Sequence, residues 1–199
     1  MKNIVLMGIK HCGKSTQGKL LAQKLSEFYR QEILFYDTDT VLEELSGKTA
    51  REVFTEQGEE TFKALEALSC NQVMQRLLLK KQNAVIATGG GICNNFDALN
   101  VLHKESVFVF LNTEEKTACE RIIKESSTDE DGRLCNLPAY IAKKNPHTIN
   151  DVRNIFHDFY EERCRLYSGI ADVSVTMAGE PKEVNTERLF LTLKSNGAL

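Results

Sequence analysis

A glycine-rich loop between an apolar run and an amphipathic segment is the feature that most constrains this chain of 199 residues. Residues 8–16 have the sequence GIKHCGKST, which fits the phosphate-binding pattern G-x-x-x-x-G-K-[ST]. The apolar residues 4–7 predict a strand before the loop, and the apolar spacing within residues 14–30 predicts a helix after it. In such a loop, backbone N–H groups surround the phosphates, Lys14 adds a positive charge, and the Ser15 hydroxyl ligates Mg²⁺. The residues predicted to bind nucleotide are Gly8, His11, Cys12, Gly13, Lys14, Ser15 and Thr16.

Two aspartates follow the second apolar run, residues 33–36, which predicts a buried parallel strand. Ligands of open α/β sheets bind at the carboxyl ends of the strands. Side chains two positions apart on an extended segment face the same side, so we expect the two carboxylates to lie together. Two carboxylates this close repel each other unless a cation or ligand hydroxyls are present. We therefore predict that Asp37 helps to hold Mg²⁺ and that Asp39 binds substrate hydroxyls. A strand-end turn with helix-capping aspartates is the alternative.

Residues 41–81 predict helices that break at both of the glycines in this stretch. Thr49, with Glu52 three residues later, predicts an N-cap for the second helix. An apolar stripe on the third helix predicts a contribution to the core. Lys63 lies beside this stripe and, taken alone, is typical of a solvated lysine.

Three consecutive glycines, residues 89–91, follow a third apolar run at residues 84–88. Glycines at a strand end allow the backbone to approach a ligand closely, and a flexible turn is the alternative. Further apolar runs at residues 107–111 and 172–176 complete five strands separated by helical segments. This alternation predicts an α/β fold with three α/β/α layers around a five-stranded, mostly parallel sheet.

An acidic stretch at residues 125–132, ESSTDEDG, has too few apolar residues to pack by itself. We predict a mobile lid of about residues 125–150 that closes over bound nucleotide, inserted in one domain of residues 1–199. An ordinary exposed loop is the alternative. The lid follows a helix predicted at residues 113–124, with Thr113 as its N-cap.

Arg163 lies on the otherwise apolar face of a helix predicted at residues 150–167. An arginine that points inward needs an anionic partner, and a substrate carboxylate would supply one. The alternative is a surface arginine whose aliphatic stem covers the core.

The overall composition excludes several classes of protein. A net charge of −3 argues against a general nucleic-acid or membrane-surface binder, and 42% hydrophobic residues are ordinary for a globular domain. No segment has the apolar length of a membrane span, and a strand at the start argues against a signal peptide. The six cysteines form no C-x-x-C pair, which predicts free thiols in a reducing cytoplasm. Nothing indicates an obligatory protein partner.

Three stretches together resemble the shikimate kinases in order and spacing: GIKHCGKSTQGKLLAQKL, FYDTDTVLEELSGKTAREVFTEQGEETFKALE and VIATGGGI. The resemblance extends over about residues 4–168. It implies a P-loop kinase fold of the nucleoside-monophosphate-kinase type. It also implies phosphorylation of the 3-hydroxyl of shikimate by ATP with Mg²⁺, a step of aromatic amino acid biosynthesis.

The resemblance also implies roles for individual residues. Lys14 and Ser15 match the loop lysine and the Mg²⁺ ligand, and Asp37 matches an aspartate that lies near Mg²⁺ through water. Asp39 matches the aspartate that binds the shikimate hydroxyls and is the candidate base. The implied catalytic residues are Lys14, Asp39 and Arg133, and the implied substrate-binding residues are Asp39, Lys63, Gly89, Gly90, Gly91 and Arg163.

Three arginines complete the implied site. Arg121 corresponds to an arginine that stacks on adenine, and Arg133 to a lid arginine that reaches the phosphates. Arg163, within the sequence ERCRLY, corresponds to an arginine that holds the shikimate carboxylate.

The sequence departs from the family pattern at three places. Lys63 replaces the usual arginine after G-E-x-x-F, His11 replaces a loop glycine, and the lid sequence is RLCN where R-P-L-L is usual. Lysine keeps the charge but loses the two-pronged geometry of arginine. These departures keep open a related kinase acting on another hydroxy acid, sugar acid or nucleotide, or a nucleotide-binding protein without turnover. Lys10 and Lys48 are further cations whose places the sequence leaves open.

Overall fold

A computed structural model describes all residues, 1–199, as seven strands and eight α-helices, with a 3₁₀ turn at Ile92–Asn94. The strands are β1 Asn3–Met7, β2 Leu34–Asp37, β3 Ala84–Ala87, β4 Ser106–Thr113, β5 Ser127–Thr128, β6 Leu134–Cys135 and β7 Val173–Met177. The helices are α1 Lys14–Tyr29, α2 Thr38–Ser46, α3 Ala50–Lys80, α4 Phe96–His103, α5 Glu115–Glu125, α6 Ala139–Ala142, α7 Ile149–Ile170 and α8 Lys182–Ser195.

Five strands form one sheet in the order β2-β3-β1-β4-β7, and every neighbouring pair is parallel. Strands β1 and β3, which lie inside the sheet, are fully buried, as continuous apolar runs require when helices cover both faces. The predicted α/β fold with a five-stranded parallel sheet is confirmed. The predicted parallel strand is present as β2, but it lies at the edge of the sheet and is only half-buried, so its predicted burial was wrong.

The helices pack around this sheet and enclose a single large cluster of buried apolar residues. Helix α1 packs against α8 and against β3, while α4 and α7 both pack against β4. Helix α3 lies against α2 and α4. None of these helices combines the length and the apolar character that crossing a membrane requires.

The strand order brings three chain segments to the same edge. Strands β2, β3 and β1 are neighbours, and all three point in the same direction. Their carboxyl ends are Asp37, Ala87 and Met7. The segments that follow these ends are the start of α2, the three glycines and the phosphate loop, so the sheet itself assembles them into one site.

The glycine breaks and the first helix cap agree with the sequence. Thr49 and Glu52 form the predicted capping box, with the Thr49 N–H donating to Glu52 Oε2 at 2.7 Å. Gly47 ends α2 with φ 69°, and Gly58 interrupts α3 with φ 85°. Both are backbone conformations that glycine adopts without strain.

Two local predictions were wrong. Asp39 does not lie on an extended segment, because α2 begins at Thr38 and places Asp39 in its first turn. The Asp37 carboxylate caps this helix by accepting from the Asp39 N–H at 3.1 Å. At α5 the N-cap position is Glu114, and the Thr113 hydroxyl donates to the Cys12 carbonyl at 3.3 Å. Thr113 is thus used to join β4 to the phosphate loop.

The acidic stretch forms a short antiparallel hairpin between β5 and β6, a structure that the sequence analysis did not predict. Asp129 organises the turn, since its carboxylate accepts from the backbone N–H groups of Asp131 and Arg133 at 3.0 and 2.8 Å. The turn residues are exposed. Local hydrogen bonds therefore shape this hairpin. The exposure of its acidic turn agrees with the low apolar content of the stretch.

Gly18 on α1 faces β2 so closely that a Cβ there would lie 2.4 Å from the Phe35 ring. We expect Gly18→Ala to destabilise the fold by about 1–3 kcal/mol, because the ring has to move out of a packed position. Gly169 in α7 has nothing within 4 Å of such a Cβ, so Gly169→Ala is the matched control and should stabilise by up to about 1 kcal/mol. Urea unfolding of both variants tests this, and equal effects would contradict it.

Candidate active site

The phosphate loop joins β1 to α1 and depends on its glycines. Gly8 has φ 148°, and a Cβ there would lie 2.8 Å from both Cys12 Sγ and the Leu111 carbonyl oxygen. Gly13, with φ 96°, directly precedes α1. The first turn of α1, with its unpaired backbone N–H groups, therefore directly follows the loop, as a phosphate site requires.

Lys14 is buried at the start of α1, and its ammonium group is held by the loop itself. The Nζ atom donates to the carbonyl oxygens of Gly8 and Ile9 at 2.8 and 2.9 Å and lies 3.6 Å from Cys12 Sγ. No carboxylate pairs with Lys14. Its positive charge is thus fixed in place and remains free to bind anionic phosphate oxygens.

Ser15 and Asp37 form the part of the site that fits a magnesium ion. The Ser15 hydroxyl donates to Asp37 Oδ2 at 2.6 Å, which brings two hard oxygen ligands together at the end of the loop. Mg²⁺ prefers a small number of carboxylate and hydroxyl oxygens and keeps water and phosphate oxygens as its other ligands. These two residues therefore match the chemistry of the ion, and the helix-capping role of Asp37 coexists with it.

Two carboxylates converge on Gly89. A Cβ on this glycine would lie 3.0 Å from Asp39 Oδ1 and 2.9 Å from Glu66 Oε1, so only glycine fits here. Burial raises the pKa of the Asp39 carboxyl, and the nearby Asp37 carboxylate raises it further. A carboxyl group with a raised pKa beside a phosphate loop is suited to accept a proton from an acceptor hydroxyl.

Glu66 is the site residue that the sequence analysis missed. Its side chain is 1% exposed, its Oε2 atom accepts from Asn95 Nδ2 at 2.8 Å, and its Oε1 atom has no hydrogen-bond partner. Burial raises the pKa of Glu66 to about 7. The available signal was its position on the buried stripe of α3, where a glutamate among apolar residues is exceptional.

The other two glycines contact the phosphate loop and α7. A Cβ on Gly90 would lie 2.9 Å from the Lys10 backbone nitrogen, and one on Gly91 would lie 3.8 Å from an Arg163 guanidinium nitrogen. Arg163 is half-buried and donates to Cys93 Sγ at 3.0 Å. Arg163 thus points inward at the glycines, as predicted from its place on an apolar face.

The nucleotide side of the site brings His11 and Arg121 together. The Arg121 guanidinium donates to the His11 carbonyl oxygen at 2.6 Å. His11 has φ 65°, a conformation that favours glycine, and its Nδ1 atom lies 3.4 Å from Glu125 Oε1. Since Glu125 is the last residue of α5, the His11 ring connects the phosphate loop to the base of the lid.

Two predicted site cations point elsewhere in this structure. Lys63 forms an ion pair with Glu59 at 2.9 Å, four residues earlier on α3. Arg133 is 78% exposed, and its nearest carboxylate is that of Asp131 at 3.8 Å. The site that the fold assembles therefore consists of the phosphate loop, the two aspartates, Glu66, the glycines and Arg163, with Lys63 and Arg133 outside it.

Glu66 should make the stability of this protein depend on pH. Its folded-state pKa of about 7 exceeds the ordinary value of 4.5, so folding favours the protonated form, and this contribution is lost as pH rises from 4.5 through about 7. We expect Glu66→Gln to become more stable than the wild type by up to about 3 kcal/mol above pH 7, with the advantage disappearing below pH 4.5. Urea unfolding at pH 4.5 and 8 measures this, with exposed Glu43→Gln as the control. A pH-independent difference would contradict it.

Comparison with known proteins places the chain in a family. The model of the family described as "Shikimate kinase" matches residues 10–194. Shikimate kinase of Sulfurihydrogenibium sp. is 30% identical over 194 residues, which cover 98% of this chain and 99% of that protein. Shikimate kinase 1 of Escherichia coli is 31% identical over 197 residues, 98% of each chain.

Solved structures agree with this match. Shikimate kinase from Aquifex aeolicus is 29% identical, with a TM-score of 0.67 over 98% of both chains. The enzyme from Acinetobacter baumannii, solved in complex with shikimate, shares the fold with a TM-score of 0.72 at 23% identity, over 98% of this chain and 94% of that one. On its sequence and its fold, this chain belongs to the shikimate kinase family.

Proposed function

We propose that this protein transfers the γ-phosphoryl group of ATP to the 3-hydroxyl of shikimate. The observation that carries the proposal is the placement of Asp39 and Arg163 beside the three glycines, next to the phosphate loop. A hydroxyl acceptor with a carboxylate needs one group that accepts a hydrogen bond and one that carries a positive charge. Asp39 and Arg163 supply these, and shikimate has both of the matching groups.

Asp39 orients the acceptor hydroxyl and takes its proton. The acceptor oxygen forms a bond to the γ-phosphorus while the bond from that phosphorus to the β–γ bridging oxygen breaks, which releases ADP. Because its raised pKa lies closer to neutral pH than that of an exposed aspartate, Asp39 is a stronger base for this proton. The Asp39 carboxylate in turn helps to raise the pKa of the nearby Glu66 carboxyl, since a like charge disfavours a second one.

Charge neutralisation and positioning account for most of the catalysis in phosphoryl transfer. Lys14, fixed by two loop carbonyls, binds the β- and γ-phosphate oxygens together with the N–H groups at the start of α1. Ser15 and Asp37 would hold Mg²⁺, which would offset the charge of the phosphates. Arg121, which donates to the His11 carbonyl oxygen, would contact the adenine of ATP.

The lid completes the site when it closes. Arg133 at the hairpin is exposed, so closure of the hairpin over ATP would carry this guanidinium to the phosphates. Closure also excludes water, which otherwise competes with the acceptor hydroxyl for the γ-phosphoryl group.

The proposed compartment for this reaction is the cytoplasm, which supplies ATP. The six cysteines are all free thiols, which a reducing compartment preserves.

The decisive experiment measures ADP release from ATP and Mg²⁺ with and without shikimate, together with identification of the product. We expect shikimate-dependent release and a phosphorylated product. Lys14→Ala should lower kcat by about 10²–10³-fold or more, because it removes a fixed charge at the transferring group, while shikimate binding stays nearly unchanged. Lys24→Ala, which removes a surface ion pair with Glu187, is the control. Unchanged turnover in Lys14→Ala would contradict the proposed mechanism.

The second candidate function is phosphorylation of a different hydroxy acid, sugar acid or nucleotide. It is favoured by the position of Lys63, which pairs with Glu59 and leaves Arg163 as the guanidinium at the glycines. A panel of acceptors in the same assay separates the two candidates. A protein that binds ATP but transfers phosphate to none of them would support the third alternative, a nucleotide-binding protein without turnover.

Lys63→Arg tests whether shikimate is the acceptor. Arginine can form two parallel hydrogen bonds with a carboxylate, whereas lysine acts as a point charge. If shikimate is the substrate, the arginine variant should lower the KM for shikimate severalfold and leave the KM for ATP unchanged. Lys63→Gln serves as the matched variant without charge. A rise in the KM for shikimate in Lys63→Arg would argue for an acceptor of different shape.

A further inference from the structure

Lys10 lies at the contact between the phosphate loop and the glycines. Its backbone nitrogen, Cα and Cβ lie 2.9, 3.3 and 3.4 Å from the position of a Cβ on Gly90. The residue is half-buried, and its ammonium group forms no hydrogen bond or ion pair. By contrast, four other lysines pair with carboxylates: Lys24 with Glu187, Lys48 with Glu56, Lys63 with Glu59 and Lys182 with Glu183. A half-buried ammonium group without a partner is costly unless a ligand supplies an anion.

The charged groups around Lys10 balance one another in number and leave its own positive charge without a counterpart. Lys14 and Arg51 both act on Lys10 as like charges, and Asp39 and Glu125 as opposite charges. Burial and Arg51 are the largest causes that lower the pKa of Lys10. Glu125 lies near the ring of His11, and none of these groups bonds to the ammonium.

The neighbours of Lys10 indicate which anion belongs there. Lys14 marks the position of the β- and γ-phosphates, and Asp39 marks the position of the acceptor hydroxyl. Lys10 belongs to the phosphate loop, and its backbone lies against Gly90, where the loop meets the glycines of the acceptor side. Arg163, which would hold the acceptor carboxylate, lies at Gly91 instead. This placement favours phosphate over carboxylate as the anion that pairs with Lys10.

We propose that the Lys10 ammonium contacts the transferring phosphoryl group and binds it in the phosphorylated product. This inference rests on the proposed function and adds a substrate-contacting residue to it. Arg133 points to solvent while the lid has this conformation, so Lys10 supplies positive charge at the acceptor side of the phosphoryl group before the lid brings its arginine. Lysine suits this role because its ammonium is a mobile point charge on a flexible stem.

The test compares the binding of shikimate and of shikimate 3-phosphate to wild type and Lys10→Met by titration calorimetry, without nucleotide. A charge-assisted hydrogen bond is lost only for the product, so its Kd should rise about 10–100-fold while the Kd of shikimate changes less than about twofold. Lys10→Arg should retain most of the product affinity. Lys48→Met, which removes an exposed lysine paired with Glu56, should bind both ligands normally. Thermal unfolding verifies that each variant folds.

The other outcomes have distinct meanings. Equal weakening of both ligands would assign Lys10 to the carboxylate and overturn the inference. Unchanged binding of both ligands by folded Lys10→Met would also overturn it, since Lys10 would then be structural. Wild-type protein that binds neither ligand would overturn the proposed function, and this inference with it.

Discussion

The parallel pairing of β2, β3 and β1 positions the functional groups that the fold assembles. Each of these strands ends where a functional segment begins, so a single set of backbone hydrogen bonds places the phosphate loop, the aspartates at the junction of β2 and α2, and the glycines within contact distance. The glycines are necessary because this assembly is tight. A Cβ on Gly89 would clash with carboxylate oxygens, and one on Gly90 would clash with the backbone of the phosphate loop. A Cβ on Gly8 would likewise clash with its neighbours, so each position requires glycine.

Lys14 donates hydrogen bonds to two loop carbonyls. Two other polar groups at the site have no partner within the chain: the half-buried Lys10 ammonium and the buried Glu66 Oε1 atom. Such unpartnered groups cost stability. Bound nucleotide and acceptor would satisfy them, so ligand binding and the stability of the fold are linked through the same few groups.

The parts of the structure that the sequence predicted are those governed by local rules. The P-loop motif, the strand–helix alternation and the Thr49 capping box depend on spacing within a few residues, and the structure agrees with each. The inward position of Arg163 followed from one periodic face. The ion pair of Lys63 with Glu59 also follows a local rule, since residues four apart on a helix are neighbours. The sequence analysis did not predict this pair, because it assigned Lys63 to the substrate.

The errors and omissions arose where tertiary structure decides between two local possibilities. Asp37 is both the last residue of a strand and the N-cap of a helix. Because the helix begins directly after it, Asp39 lies in the first helical turn and not on an extended segment. Thr113 is a good N-cap by type, yet its hydroxyl bonds to the phosphate loop. Glu66 lies on the face of α3 that also buries Cys70, Val73 and Leu77, and only the approach of α3 to Gly89 shows that its carboxyl belongs to the site.

The distribution of positive charge distinguishes this chain from the pattern of its family. At position 63, where the family pattern has arginine, this chain has a lysine whose ammonium pairs with Glu59. Lys10 instead places a positive charge on the phosphate loop, where the loop backbone contacts Gly90. In the proposed mechanism, acceptor recognition then depends mainly on Arg163, at Gly91, and on Asp39, at Gly89.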